Sequence, residues 1–208
     1  MTIEKGKEWG RAIQTPTDYV EVASDRKLID HWLLNREQLF VVRGGDLFRS
    51  LGAPLCDMSV ATKQLLTVDV MRVEIDYDDA STGTLYALSN LQIGSWRSRC
   101  RFICVSNCGF IDERNIAPRA HPNDGEIEVM TVSPTIDWKQ RFQAWRRTRT
   151  GTHLPHPNIS MERGNYGSWT RAGNEVLSID GAPLSCSGGV NWQKICVHVE
   201  PDACYVLV

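Results

Sequence analysis

Ile116-Ala-Pro-Arg-Ala-His-Pro-Asn-Asp-Gly-Glu-Ile-Glu-Val-Met-Thr-Val132 is a corner that opens into a strand. The prolines preset φ, and Asn123, Asp124 and Gly125 accept turn and left-handed backbone. The pattern then alternates, with Ile127 and Val129 on one face and Glu126, Glu128 and Met130 on the other. Asp124 is thereby placed on a rigid corner feeding a sheet, where a carboxylate can hold a cation or accept from a donor.

Strand signals extend from this corner in both directions. Before it, Val68 to Ile75 alternates, Asp76 to Asp79 with Gly83 makes a hairpin-like break, and Leu85–Ile93 and Phe102–Ser106 read as strands. After it come Ile159–Met161, Tyr166–Trp169, Glu175–Ile179, Val190–Val199 and Cys204–Val208. Many short strands punctuated by Gly, Asn and Pro predict a β-sandwich or distorted barrel.

The first third reads differently. Residues 1–18 have no period and read as an arm or loop. Tyr19–Val22 is a short strand, and Ser24 caps a helix with Asp25 in its first turn. Leu28, Ile29, Trp32 and Leu33 give that helix one apolar face. Leu39–Val42 is a continuous apolar run, the mark of a strand covered on both sides. Gly44-Gly45-Asp46 closes it, and Leu47–Leu51 opens a helical turn. Strand, glycines, then helix lets backbone N–H groups approach a phosphate. A sharp turn with Asp46 capping the next helix fits the same residues. The expected fold is α+β: a short α/β (β-α-β) region, 1–66, packed on a larger β-sandwich, 67–208.

The totals exclude several classes. The 208 residues carry a net charge of −2, which offers no global basic field for nucleic acid. The first residues lack an apolar h-region and no apolar run reaches the roughly 20 residues of a spanning helix, so a soluble cytoplasmic protein is expected. Seven cysteines without a secretory pattern predict free thiols, and Cys100, Cys104 and Cys108 would share one face of a strand.

One helix interrupts the β region. Asp137 caps it, and Trp138, Phe142 and Trp145 form an aromatic stripe among Lys139, Arg141, Arg146, Arg147 and Arg149. Packing of the aromatics on the sheet, with solvated arginines, is the favoured reading. The other is contact of Lys139, Arg141, Arg146 and Arg147 with anionic lipid or phosphate. His153 and His156, separated by Pro155, read as loop histidines with local hydrogen bonds. Asp180-Gly181 is either a hairpin turn or a carboxylate presented to a cleft as a general base.

Gly44-Gly45-Asp46 after an apolar strand, Val105-Ser-Asn107, Ala117-Pro118-x-Ala120 followed by Asp124-Gly125, and Asp180-Gly181 occur in that order. Together they resemble the diacylglycerol kinase and sphingosine kinase-like lipid kinases, which share a superfamily with NAD kinase. The resemblance is strongest from Thr67 to Val208. It implies an active site between two domains, with Gly44, Gly45 and Asp46 binding ATP, Asp124 holding a structural Mg²⁺, and Asp180 taking a proton from a lipid hydroxyl. The sequence departs from the family where Leu47 and Phe48 replace a glycine and a threonine, and where Ala182 replaces an acidic residue. Three functions follow as expectations: an ATP- and Mg²⁺-dependent lipid kinase, a lipid- or ligand-binding module without ATP chemistry, and an interaction subunit, for instance a homodimer.

Overall fold

The computed structural model of the chain describes residues 9–184 and 190–208; residues 1–8 of the expected N-terminal arm lie outside this set. In chain order the elements are β1 (Arg11–Gln14), β2 (Val20–Val22), α1 (Asp25–Leu34), β3 (Leu39–Val42), α2 (Asp46–Ser50), β4 (Thr62–Tyr77), β5 (Thr82–Ala87), β6 (Asn90–Ile93), β7 (Phe102–Ser106), β8 (Phe110–Ile111), β9 (Arg114–Asn115), β10 (Ile127–Val132), α3 (Trp138–Arg147), β11 (Ile159–Gly164), β12 (Tyr166–Thr170), β13 (Leu177–Ile179), β14 (Ala182–Pro183) and β15 (Trp192–Leu207).

Two 16-residue strands, β4 and β15, pair antiparallel along nearly their whole length and form the spine. At one end β1 and β3 flank them, giving the order β1-β4-β15-β3-β2; at the other, β5 pairs with β4 and β12 with β15. The β2-α1-β3 unit forms as its sequence suggests, with β2 and β3 parallel in register Val20↔Phe40 to Val22↔Val42. Its strands continue the spine sheet, because β3 runs parallel to the end of β15. Positions 66 and 67, where the sequence pattern changes, lie inside β4, so one sheet passes through both regions.

A second sheet, β11-β10-β7-β6-β13-β14, faces the spine. Met71, Val73, Ile75, Ile195 and Val197 meet Leu91, Ile93, Ile103, Val105, Ile127 and Leu177 across a core whose members are nearly all fully buried. Each such side chain contributes about 1.5–3 kcal/mol relative to exposure. On the other face of β4, Val68 and Val70 join Leu28, Ile29 and Trp32 of α1, Phe40, Val42 and Leu47. Ser24 caps α1 by accepting from the Lys27 N–H.

The structure departs from the sequence expectations at several points. Arg11–Gln14, read as loop, is a strand on β4. Leu33, assigned to the apolar face of α1, is half exposed. Leu85–Ile93 is two strands in two different sheets, because the chain crosses between sheets at Leu88-Ser89. Val190–Val199 and Cys204–Val208 belong to one strand interrupted by a bulge between Glu200 and Cys204, where Asp202 has φ +55°. Only Cys104 of the three evenly spaced cysteines lies in a strand; Cys108 is buried just past β7 and Cys100 is exposed before it. Among the described residues no helix is long and apolar enough to cross a membrane.

Candidate functional site

The glycine loop forms at the end of β3. Gly45 has φ +99°, and a Cβ there would lie 2.4 Å from Asp25 Oδ1; a Cβ on Gly44 would lie 2.7 Å from the Ala23 carbonyl. The glycines are therefore required by an approach of this chain to itself. The first N–H groups of α2 are the ones that would meet a phosphate. Here Asp46 N–H donates to Asp25 Oδ2 at 2.7 Å and Leu47 N–H to Asp25 Oδ1 at 3.3 Å. Leu47 is fully buried in the α1 core.

Asp46 is buried beside this pair. Its Oδ2 accepts from Asn90 Nδ2 at 3.1 Å and its Oδ1 from Arg49 at 3.3 Å. Burial, and then the Asp180 charge, push the Asp25 carboxyl up to about 6. Burial, followed by the Asp25 charge, pushes Asp46 up to about 7. A carboxyl raised in the folded state makes its stabilising contribution in full below its unfolded value, and that contribution is lost as pH rises through the folded value. The chain should thus resist urea better near about pH 5 than near about pH 8, and Asp46→Asn should flatten that slope. An unchanged slope in the variant would remove Asp46 as its source.

Asp180 and Gly181 have φ +46° and +77° and join β13 to β14 as a two-residue hairpin turn. The Asp180 carboxylate turns inward. It accepts from the N–H groups of Leu88 (2.8 Å), Ser89 (2.9 Å) and Asn90 (3.0 Å) and from Ser89 Oγ (2.8 Å). Burial raises its pKa against these bonds. It holds the segment where the chain passes from one sheet to the other.

The Pro122–Gly125 corner is clamped from β4 and the β15 bulge. Asp69 Oδ2 accepts from Gly125 N–H at 2.7 Å, and its Oδ1 from Asp202 N–H at 2.9 Å. Burial pushes Asp69 up to about 6. Asn123 Nδ2 donates to Asp202 at 2.9 Å and to Thr67 Oγ1 at 3.1 Å. Asp124 accepts from Glu126 N–H at 3.1 Å and from Arg163 at 2.5 Å, and Arg163 Nε reaches Glu126 at 2.6 Å. The cation against Asp124 is thus a guanidinium. Among the described residues no three His, Cys, Asp or Glu side chains are placed to hold a metal, and Mg²⁺ asks for an octahedron of oxygens.

Strand register relates the two clusters. Asn90, Ser106, Glu128 and Arg163 stand side by side on β6, β7, β10 and β11, on the face away from the spine. Asn90 touches Asp46 at one end and Arg163 touches Asp124 at the other. Three strand spacings of about 4.8 Å separate those ends by about 14 Å. The structure therefore brings Gly44, Gly45, Asp46 and Asp180 together and leaves Asp124 apart.

Helix α3 differs from its expected packing. Trp138 and Phe142 are 50% and 53% exposed, and the buried face is Arg141, Ala144 and Thr148. Arg141, expected at the surface with Lys139, Arg146 and Arg147, donates to the carbonyls of Trp96 (2.8 Å), Cys100 (3.0 Å) and Ser95 (3.3 Å). It lies where the 95–100 loop needs donors, so it cannot contact lipid; Lys139, Arg146 and Arg147 are exposed. His156 Nδ1 accepts a local bond from Asn158 N–H, whereas His153 is buried beside the Ile116 backbone. Asp69, Ser89, Asn90 and Arg163 are not singled out by the sequence, and Asp25 is read there only as the acid in the first turn of α1. Only Asp25, a lone acid behind a helix cap, carried any signal.

No family model and no curated protein sequence matches the chain. Solved structures do. A protein assigned as a diacylglycerol kinase from Bacillus anthracis str. Sterne superposes with a TM-score of 0.51 at 10% identity, covering 91% of this chain and 77% of that one. The fold is that of the diacylglycerol kinase and NAD kinase group. Yeast NADH kinase, solved with NADH, gives a TM-score of 0.54 at 10% identity over 92% of this chain, which spans 61% of the kinase. That fold is thus carried by a strand-rich chain with three short α-helices among its described residues.

Proposed function

We propose that this protein is a lipid kinase-fold module that binds anionic lipid at a membrane surface without ATP-dependent phosphoryl transfer. The observation that carries the reading is the Asp25 carboxylate on the Asp46 and Leu47 N–H groups. It fills, from within the chain, the place a nucleotide phosphate would take. Two neighbours support it. Asp180 has both carboxylate oxygens committed to the 88–90 backbone, and a general base needs a lone pair directed at its substrate. Asp124 is ion-paired with Arg163, which occupies one oxygen of the carboxylate that the resemblance assigns to Mg²⁺. Lys139, Arg146 and Arg147 around exposed Trp138 and Phe142 supply what an anionic interface attracts, cationic charge beside aromatic rings.

Isothermal titration with Mg-ATP should give no saturable heat at millimolar nucleotide, since kinases work with KM values of about 1 μM to 1 mM. Vesicles containing anionic lipid should carry the protein into the pellet, less so as salt rises. Micromolar ATP binding, or failure to pellet at low salt, would overturn the proposal.

A further inference from the structure

Arginines from four parts of the chain meet at one cavity. It measures about 450 Å³ and is lined by Arg49, Arg97, Arg114 and Arg149, with Trp145, Asp112 and Glu113. Arg49 comes from α2, Arg97 from the loop between β6 and β7, Arg114 from β9, and Arg149 from just past α3. The volume lies within the about 300–1,000 Å³ of small-molecule sites. None of these residues belongs to the motifs that resemble the lipid kinases.

The charges do not cancel. Arg49 pairs with Asp46 at 3.3 Å. Arg114 is fixed in the wall by neutral partners. Its guanidinium lies 3.9 Å over the Trp145 ring and donates to the Trp145 carbonyl and Thr148 Oγ1. Arg97 and Arg149 are exposed and make no ion pair among the described residues, and the same holds for Asp112 and Glu113. Burial, and next the charge of Arg149, hold Arg114 below its ordinary value. Arg149 thus acts on Arg114 more strongly than either carboxylate does. An anion bound beside both guanidinium groups relieves that repulsion. Phosphate suits them, because the planar fork of arginine donates two parallel bonds to its oxygens.

The walls narrow what carries the phosphate. The Trp145 ring is packed between Trp96, 4.9 Å away between ring centroids, and Arg114. No aromatic face is left for a nucleobase, and no other apolar side chain lines the cavity for an acyl chain. Asp112 and Glu113 are acceptors only, which suits hydroxyl groups.

We propose that this cavity binds the phosphate monoester of a small polyol, its phosphate held by Arg97 and Arg149 beside Arg114 and its hydroxyl groups by Asp112 and Glu113. A free sugar phosphate and an inositol phosphate headgroup share this chemistry. The inference does not rest on the lipid-binding reading, since the cavity is the same for either source.

The test is titration calorimetry of the full chain with glucose 6-phosphate, with inorganic phosphate and glucose as controls. Glucose 6-phosphate should bind about tenfold tighter than either control or better, a gap of ~1.4 kcal/mol. Arg97→Glu with Arg149→Glu should cost about tenfold or more. Lys27→Glu with Lys194→Glu, an equal change of net charge outside the cavity, should stay within about twofold because solvent and salt screen distant charges. All four side chains are exposed, so the fold is not at stake in these variants. Inorganic phosphate or glucose binding as tightly as glucose 6-phosphate would overturn the proposal, leaving a bare anion site or none. Equal losses in the two variant pairs, or no saturable heat at millimolar glucose 6-phosphate, would also overturn it. The source is then read from phosphatidylcholine vesicles with and without phosphatidylinositol 4-phosphate. Extra pelleting on the phosphoinositide vesicles that glucose 6-phosphate displaces assigns the cavity to a headgroup; absence of such displaceable pelleting assigns it to a free ester.

Discussion

Asp180→Ala is expected to lower the unfolding free energy by about 3–5 kcal/mol, a large share of what a domain of this size has. Four donors lose their acceptor at once, and Leu88, Ser89 and Asn90 are all buried at 1% exposure or less. A buried donor left unsatisfied costs about 1–3 kcal/mol. The sum is reduced because water can enter the space the carboxylate leaves and because a desolvated charge beside Asp25 is removed. Alanine also takes φ +46° less readily than Asp or Asn. Asp180→Asn keeps one acceptor and the turn preference and should cost about half as much. Urea denaturation with unchanged m-value, together with faster amide exchange at residues 88–90, would register the loss. A surface general base behaves otherwise, since active-site residues are commonly neutral or costly for stability. A change below about 1 kcal/mol for Asp180→Ala would show that the carboxylate is not a structural clamp.

Arg141→Met is expected to cost about 2–4 kcal/mol. Methionine replaces the stem but none of the three bonds to the Ser95, Trp96 and Cys100 carbonyls. No carboxylate pairs with this guanidinium among the described residues, so its burial is offset by those carbonyls alone. Its loss should free the 95–100 loop and with it Trp96, whose Nε1–H donates to the Arg141 carbonyl. Arg146→Met, on the exposed side of the same helix, should stay within about 0.5 kcal/mol. Near-ultraviolet circular dichroism should change in the first variant only. Equal melting of the two variants would contradict the clamp.

The elements of this chain were largely legible because each is encoded locally. The Ser24 cap, the Leu28-Ile29-Trp32 face, the Leu39–Val42 run, the Phe102–Ser106 strand and the Asp137 cap are patterns of neighbours in sequence, and each formed where the pattern placed it. Leu85–Ile93 was misread as one strand because its break has no local cause. No glycine or proline interrupts it; a carboxylate about ninety residues away gathers its N–H groups. Likewise Arg141 looks like its neighbours in a basic helix. Only the loop carbonyls supplied by residues 95–100 make it the one that is buried.

By itself the sequence determined a strand-rich α+β chain, its β-α-β start, its glycine turn, and the order of motifs that matches a kinase fold. Periodicity, caps and turn residues are short-range properties, and the amino acids state them directly. What each motif is used for was decided by tertiary structure. Gly44 and Gly45 are needed for backbone close to Asp25, Asp180 answers the 88–90 crossover, and Asp124 answers Arg163. A carboxylate serves as ligand, base or clamp according to which donors the fold places within about 3 Å of it. Those donors come from residues far along the chain, and only folding brings them there.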